Sequence, residues 1–416
     1  MTPVNAVRSV GLGALFGAIA GLGTEATAGC LDQGRLTGVN VAGAEFNTKK
    51  LPGTPFKDYT YPLASDLTFF ASQGANIIRL PFRWERLQPA LDSPLDAGEL
   101  SRIRSTVSSA NANGLCVLLD LHNFAGYYTN KLGDNGPLDA AFIAFWLKVA
   151  KEFNDPTQTI FGLMNEPANM PLADWAVLAK KTLAALRDAK ATNLVFVSGG
   201  RWSGVHDWFG GLLASNASEF DDLRDPINRA VLEVHQYADL DYSGTHTITT
   251  GAGCRPADEF NSKFERISTW AIENNQQLFL GEFGVPATTE CVATLRRMLE
   301  LTQSPPWRGW TYWAAGRWWG NYHFALSAAN QPLSIQWPPL QEYFYNPESD
   351  QVSPPQAPMY MQALSGSALQ SGYNTKTAVK SSAKSSMKSS AKSSVKSSVK
   401  SSVKSSTKSS AKSSVK

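Results

Sequence analysis

Two glutamates, Glu166 and Glu282, each close an apolar run in this 416-residue chain, within Asn165-Glu166-Pro167 and Leu280-Gly281-Glu282-Phe283-Gly284. A carboxyl bracketed by glycines after an apolar run is buried, and burial without a partner is costly, so Glu282 has a task. Two carboxylates without a metal-ligand cluster suit the hydrolysis of a glycosidic bond, where one must give a proton and the other must attack. Arg79 and the Tyr237 hydroxyl, reaching Glu282, would favour its charged form and make it the nucleophile. Glu166, kept near that charge and partly desolvated, would be pushed up, which fits an acid that later serves as base. Asn165 beside it is placed to bind a sugar 2-hydroxyl, His122 and His235 stand at the close of other runs, and Trp313 lies late in a further one. No metal or cofactor is expected. A triad of His122, His235 and Glu282 is the weaker reading, because Arg79 in the same cleft opposes a cation. There is no Gly-x-Ser-x-Gly elbow and no His-Glu-x-x-His, and Gly199-Gly200-Arg201 is not a phosphate loop.

These residues need a scaffold that brings distant strand ends to one face. Eight short apolar or β-branched runs alternate with helix-like stretches: 38–43, 76–82, 115–123, 160–167, 193–199, 230–237, 277–284 and 307–316. Eight βα units over a body of this length predict an α/β fold, a (β/α)8 TIM barrel, as one catalytic domain. In a barrel the C-terminal strand ends converge, so Arg79, His122, Glu166, His235, Glu282 and Trp313 share one cleft. A doubly wound sheet is disfavoured, since no Gly-x-Gly-x-x-Gly follows the first run.

The overall charge of +3 averages two opposite parts. Of 38 basic side chains, 11 lie beyond Asp350, which leaves 27 against 35 acidic ones in the body. An acidic body argues against a nucleic-acid partner. Twelve Trp residues suit neutral sugar rings, which stack without a charge partner. Phe46, Trp84, Trp202, Trp208, Trp318 and Trp319 follow strands on loops. Trp202 and Trp319 are the favoured sugar platforms among them, with core packing the competing fate of each.

Arg8, the apolar stretch 10–22 and Ala26-Thr27-Ala28 have the order of a secretory signal, so residues 1–28 are expected to be removed on export. The apolar stretch is too short to span a bilayer. Four cysteines in an exported chain permit disulfides in three connectivities. Cys254 with Cys291 is favoured, since both flank one late strand. Cys30 with Cys116 stays open against a buried thiol at 116 or a lipid anchor at 30. The body spans 29–350, a linker 351–379, and from Lys380 the unit Lys-Ser-Ser-x repeats nine times before Lys416. Like charges and weak helix formers predict a disordered tail over 380–416, whose charge would draw it to anionic polymers or surfaces. The protein is expected to be a monomer.

The stretches Ile78-Arg79-Leu80-Pro81, Asp120-Leu121-His122-Asn123, Met164-Asn165-Glu166-Pro167, His235-Gln236-Tyr237, Gly281-Glu282-Phe283-Gly284 and 310–316 together resemble glycoside hydrolase family 5. The resemblance runs from about Gly38 to Trp319. Finer texture, including Gly38-Val39-Asn40-Val41-Ala42-Gly43 and the 254 to 291 interval, is similar to the secreted endo-1,4-β-glucanases of fungi and plant-pathogenic bacteria within that family. The resemblance implies a (β/α)8 barrel, retention of anomeric configuration and cleavage of internal bonds in β-1,4-glucan. It implies Glu166 as acid/base and Glu282 as nucleophile, with Arg79 and Tyr237 orienting Glu282. His122, Asn165 and His235 would bind sugar or position the acid, and Trp313 would floor the subsite of the distorted ring. A mannanase or xyloglucanase shares this set, and a non-catalytic glycan-binding protein would not need both glutamates. No separate cellulose-binding module is visible after Asp350.

Overall fold

A computed structural model describes residues 29–347, apart from 32, 134–135 and 246–252. The signal-like segment, the linker and the Lys-Ser-Ser-x repeat lie outside the described residues.

Eight parallel strands close into a barrel. They are β1 (Leu36–Ala42), β2 (Ile77–Phe82), β3 (Cys116–Leu121), β4 (Thr159–Gly162), β5 (Val195–Ser198), β6 (Ala230–His235), β7 (Leu278–Glu282) and β8 (Trp307–Gly316). Each pairs with its neighbours in sequence, and β8 returns to β1. The crossover helices are α1 (Ala64–Ser72), α2 (Ala97–Asn111), α3 (Pro137–Glu152), α4 (Leu172–Asp188), α5 (Asn216–Glu219), α6 (Glu259–Glu273) and α7 (Thr289–Leu301), and α8 (Trp337–Tyr343) follows β8. The expectation of one helix per unit fails between β5 and β6, where α5 is a single turn. Gly199, Gly200, Gly204, Gly210 and Gly211 break up the first half of that interval, and the stretch from there to Pro226 forms only the one short α-helical turn.

Helix boundaries follow local chemistry. The Asp96 carboxylate accepts from the Glu99 backbone NH at 2.7 Å and caps α2. Pro137 opens α3 where a missing NH is harmless. On α3, Leu138, Ala141, Phe142, Phe145, Trp146 and Val149 recur at helical spacing and are buried against the barrel.

Alternate residues of a strand share one side, and inside this barrel that rule sorts layers. Leu36, Ile77, Leu118, Ile160, Phe196, Val231 and Phe279 form one apolar cluster. Two residues further along three of these strands stand Arg79, Asp120 and Glu233, all buried. Gly38 on β1 is obligatory, since a Cβ there would lie 1.8 Å from the Ile77 carbonyl oxygen.

Both cysteine pairs form, Cys254 with Cys291 and Cys30 with Cys116. The second occupies the sulfur that a lipid anchor on Cys30 would need. Cys30 and Cys116 belong to the apolar cluster around Leu36 and Ile77. Among the described residues no helix is long and apolar enough to cross a membrane.

Candidate active site

The polar layer is organised around Arg79, which is fully buried. Its Nη1 donates to Glu282 Oε1 at 2.7 Å and to Asn40 Oδ1 at 2.9 Å, and Nη2 donates to Asn165 Oδ1 at 2.7 Å. Asp120 Oδ2 lies 3.1 Å from Nη1, and Glu233 Oε1 2.8 Å from Nε. Burial alone would release the proton, but Asp120, Glu233 and Glu282 together raise the guanidinium's pKa and hold it charged. Arg79 therefore ties β2, β3, β6 and β7 to the segment after β4.

Glu282 ends β7 with both oxygens engaged. Tyr237 donates its hydroxyl to Oε2 at 2.7 Å, opposite the Arg79 bond to Oε1. Burial, then the Glu282 charge, pushes the Tyr237 phenol well above its ordinary range, so it stays a donor. Gly281 must lack a side chain, because a Cβ would lie 2.1 Å from Glu233 Oε1.

Glu166 sits beyond β4, with φ of 42° at a residue followed by proline. Left-handed backbone at a non-glycine residue concentrates at functional sites, where the surroundings hold it. Its side chain remains 15% exposed and faces the cleft. Burial raises its pKa first, His235 opposes this, and the Glu282 charge adds to the rise.

His235 Nδ1 lies 2.7 Å from Glu166 Oε1 and 3.7 Å from Glu282 Oε2, while Nε2 lies 3.3 Å from Glu233 Oε1. Burial disfavours the imidazolium, yet Glu282, Glu166 and Glu233 outweigh it and push the ring up to about 10. His122 takes the opposite course. Burial, with Arg79 and Arg83 adding to it against Glu282, lowers it to about 3. Its Nδ1 lies 2.7 Å from Asp120 Oδ2 and its Nε2 3.3 Å from Asn165 Nδ2. A neutral ring with the proton on Nδ1 satisfies both contacts. Trp313 stacks on His122 with centroids 5.6 Å apart.

Glu166, His235, Tyr237, Phe124 and Trp202 line one cavity of about 760 Å³. Trp202 is 55% exposed. Trp319 packs among Phe46, Trp313 and Tyr322 and is half-buried. Trp84 and Trp208, which loop position offered to the cleft, are fully buried core residues.

The structure thus gathers Arg79, His122, Asn165, Glu166, His235, Tyr237, Glu282 and Trp313, all named from sequence. Asp120, Glu233 and Asn40 complete the network and were missed. The signal for two of them was strand period, since Asp120 and Glu233 precede His122 and His235 by two residues. Among the described residues, Glu166, His235 and Glu282 have the spacing to share a metal ion, with one atom of each within 4.8 Å of the others. His122 is not one of that group. Arg79 against Glu282 places a fixed cation beside it.

Fold and cleft together define a barrel glycosidase. The family model for cellulase, glycosyl hydrolase family 5, matches residues 39–317. Endoglucanase gh5-1 of Neurospora crassa is 34% identical over 293 residues, covering 70% of this chain and 72% of that protein. Endo-beta-1,4-glucanase Xac0029 of Xanthomonas axonopodis pv. citri superposes with a TM-score of 0.71 at 37% identity, covering 74% of this chain and 98% of that one. XacCel5A in complex with cellopentaose superposes at 0.70 with 41% identity, covering 74% and 99% respectively. The chain belongs to glycosyl hydrolase family 5 and is a glycoside hydrolase.

Proposed function

We propose that this protein is a secreted endo-β-1,4-glucanase that cleaves internal bonds of β-1,4-glucan with retention of configuration, Glu282 attacking and Glu166 serving as acid and then base. The observation that carries the reading is the closeness of the two carboxyls, each of which offers an oxygen within 4.8 Å of one on the other and of a ring nitrogen of His235. Retaining enzymes hold their carboxyls about 5–5.5 Å apart, whereas inverting ones leave about 6.5–9.5 Å for a water. The substrate class is supported by the relatives named as endoglucanases and by the similar chain that binds cellopentaose.

In the first step Glu282, aligned by Arg79 and Tyr237, attacks the anomeric carbon while Glu166 protonates the leaving oxygen. Glycosylation removes the Glu282 charge, which is one of the causes that raise Glu166. Glu166 then loses a proton more readily and serves as the base toward water. Asn165, fixed by Arg79, is set to meet the 2-hydroxyl. Trp313 floors the attacked ring, and the cavity lined by Glu166 and Trp202 takes the departing glucan.

Export is supported by the signal-like N-terminus and by two disulfides of the kind an oxidising compartment sustains. The Lys-rich tail is an electrostatic tether, tested by comparing retention of full-length and truncated protein on pectin across salt concentrations. Equal retention of the two would refute it.

The decisive experiment follows product anomers by proton NMR on a cello-oligosaccharide, with viscosity against reducing ends on carboxymethyl cellulose and with glucomannan, xyloglucan and xylan in parallel. The β-anomer appearing first and an early viscosity loss on the cellulose derivative are expected. An α-anomer first would overturn the mechanism, and preference for another glycan would overturn the substrate.

A further inference from the structure

Beyond β5 the chain runs Gly199-Gly200-Arg201-Trp202-Ser203 and makes an unusual turn. Arg201, Trp202 and Ser203 have φ of 54°, 64° and 56°, three successive non-glycine residues in the left-handed region. Crowding between Cβ and the following carbonyl disfavours that region for each of them, so the surroundings must hold the turn.

Two buried side chains do so. Asn216, on α5 and fully buried, accepts from the Gly200 NH at 2.8 Å and donates to the Gly200 carbonyl at 3.1 Å. Ser203 Oγ accepts from the Gly199 NH at 2.9 Å and donates to the Glu233 carbonyl at 2.5 Å. The glycines make this clamp possible. A Cβ on Gly199 would lie 2.6 Å from the Trp208 ring and 2.9 Å from Asn216 Oδ1, and one on Gly200 would lie 2.6 Å from Leu172. What the turn delivers is one indole, exposed in the cavity that Glu166 and His235 also line, 6.0 Å from the Phe124 ring.

We propose that Asn216 is a positioning residue for substrate binding: by clamping both backbone groups of Gly200 it holds the left-handed turn that aims Trp202 at the glucosyl ring on the leaving-group side of the scissile bond. The proposal rests on the reading of Trp202 as a sugar platform. Asn216 touches no sugar itself, and its effect passes through the turn. Strain in the turn makes the clamp necessary, since without the two Gly200 bonds the three residues relax toward ordinary backbone and the ring leaves the cleft.

The test compares cellohexaose, whose productive complex fills the leaving-group side, with an aryl cellotrioside, whose leaving group is no sugar. Asn216→Ala, Trp202→Ala and the double variant are assayed for kcat and KM. Asn216→Ala is expected to raise KM on cellohexaose about three- to tenfold, the worth of one ring-stacking contact, and to raise it less on the aryl glycoside. The double variant should be no worse than Trp202→Ala alone, because the two changes remove one interaction. Should Asn216→Ala not fold, Asn216→Asp, which keeps the acceptor for the Gly200 NH, is read in the same assay for an intermediate effect. Additive losses, or equal effects on the two substrates, would overturn the role of Asn216. If Trp202→Ala itself leaves cellohexaose unaffected, the platform reading fails instead.

Discussion

His235 Nδ1 stands 2.7 Å from Glu166 Oε1, so the residue assigned as proton donor is in direct contact with an imidazole whose pKa is pushed up to about 10. An imidazolium there lowers the Glu166 pKa, while burial and Glu282 raise it, and the balance is upward. The donor is held between opposed influences, and in the proposed mechanism one of the two that raise it, the Glu282 charge, disappears when Glu282 is glycosylated while burial remains.

The two glutamates should separate by leaving group. Glu282→Ala should lose several orders of magnitude of turnover on every substrate, since no attack occurs without it. Glu166→Ala should lose as much on carboxymethyl cellulose but far less in the first step on a 2,4-dinitrophenyl cellobioside, whose leaving group needs no proton. Steady-state and burst kinetics on both substrates check this. Equal losses on the two substrates for Glu166→Ala would remove its role as acid.

His235 sets a pH limit with a definite sign. His235→Asn removes a contact that lowers the Glu166 pKa, so Glu166 stays protonated to higher pH. The alkaline limb of kcat/KM should therefore move upward, although the maximum falls. For stability the sign is independent: a group raised from 6.5 to about 10 on folding stabilises fully below pH 6.5 and loses that contribution as pH rises through about 10. Melting temperatures from pH 6 to 10.5 should fall less steeply in His235→Asn than in the native chain.

His122, Glu166, His235 and Glu282 were legible because each stands at the end of an apolar run, and a barrel makes run ends converge, whereas Arg79 was legible as a lone charge within the run 76–82. Asp120 and Glu233 lie inside their runs, where a charged residue reads as an interruption until the alternate-residue rule assigns it to the barrel interior. The β5 to β6 interval was illegible as structure, because its glycines announce a turn without saying which. Trp84 and Trp202 both follow strands, yet one packs against Tyr127 and Phe145 and the other faces solvent. Loop position alone carries no direction, which comes from partners remote in sequence.

Cys30 and Cys116 close a separation of 86 residues. Cross-linking a loop of that length restricts the unfolded chain and is worth about 4.6 kcal/mol on a chain-entropy estimate. Replacing both cysteines by alanine should lower the guanidinium midpoint accordingly, with turnover at 25 °C retained, because the pair sits with the apolar layer rather than with Arg79 and the glutamates. Denaturation curves and initial rates of the double variant check both halves.

Asn216-Ala217-Ser218 has the form of a glycosylation acceptor, but the fold has already used it. Asn216 is fully buried, and its Nδ2, the atom a glycan would occupy, donates to the Gly200 carbonyl. A glycan attached before folding would occupy the place of the α5 turn against the barrel and remove the clamp on Gly200. Folded protein secreted from a glycosylating host should therefore carry an unmodified Asn216, which peptide mass spectrometry reads directly. An occupied site in active enzyme would mean that Asn216 is not buried against Gly200 in solution.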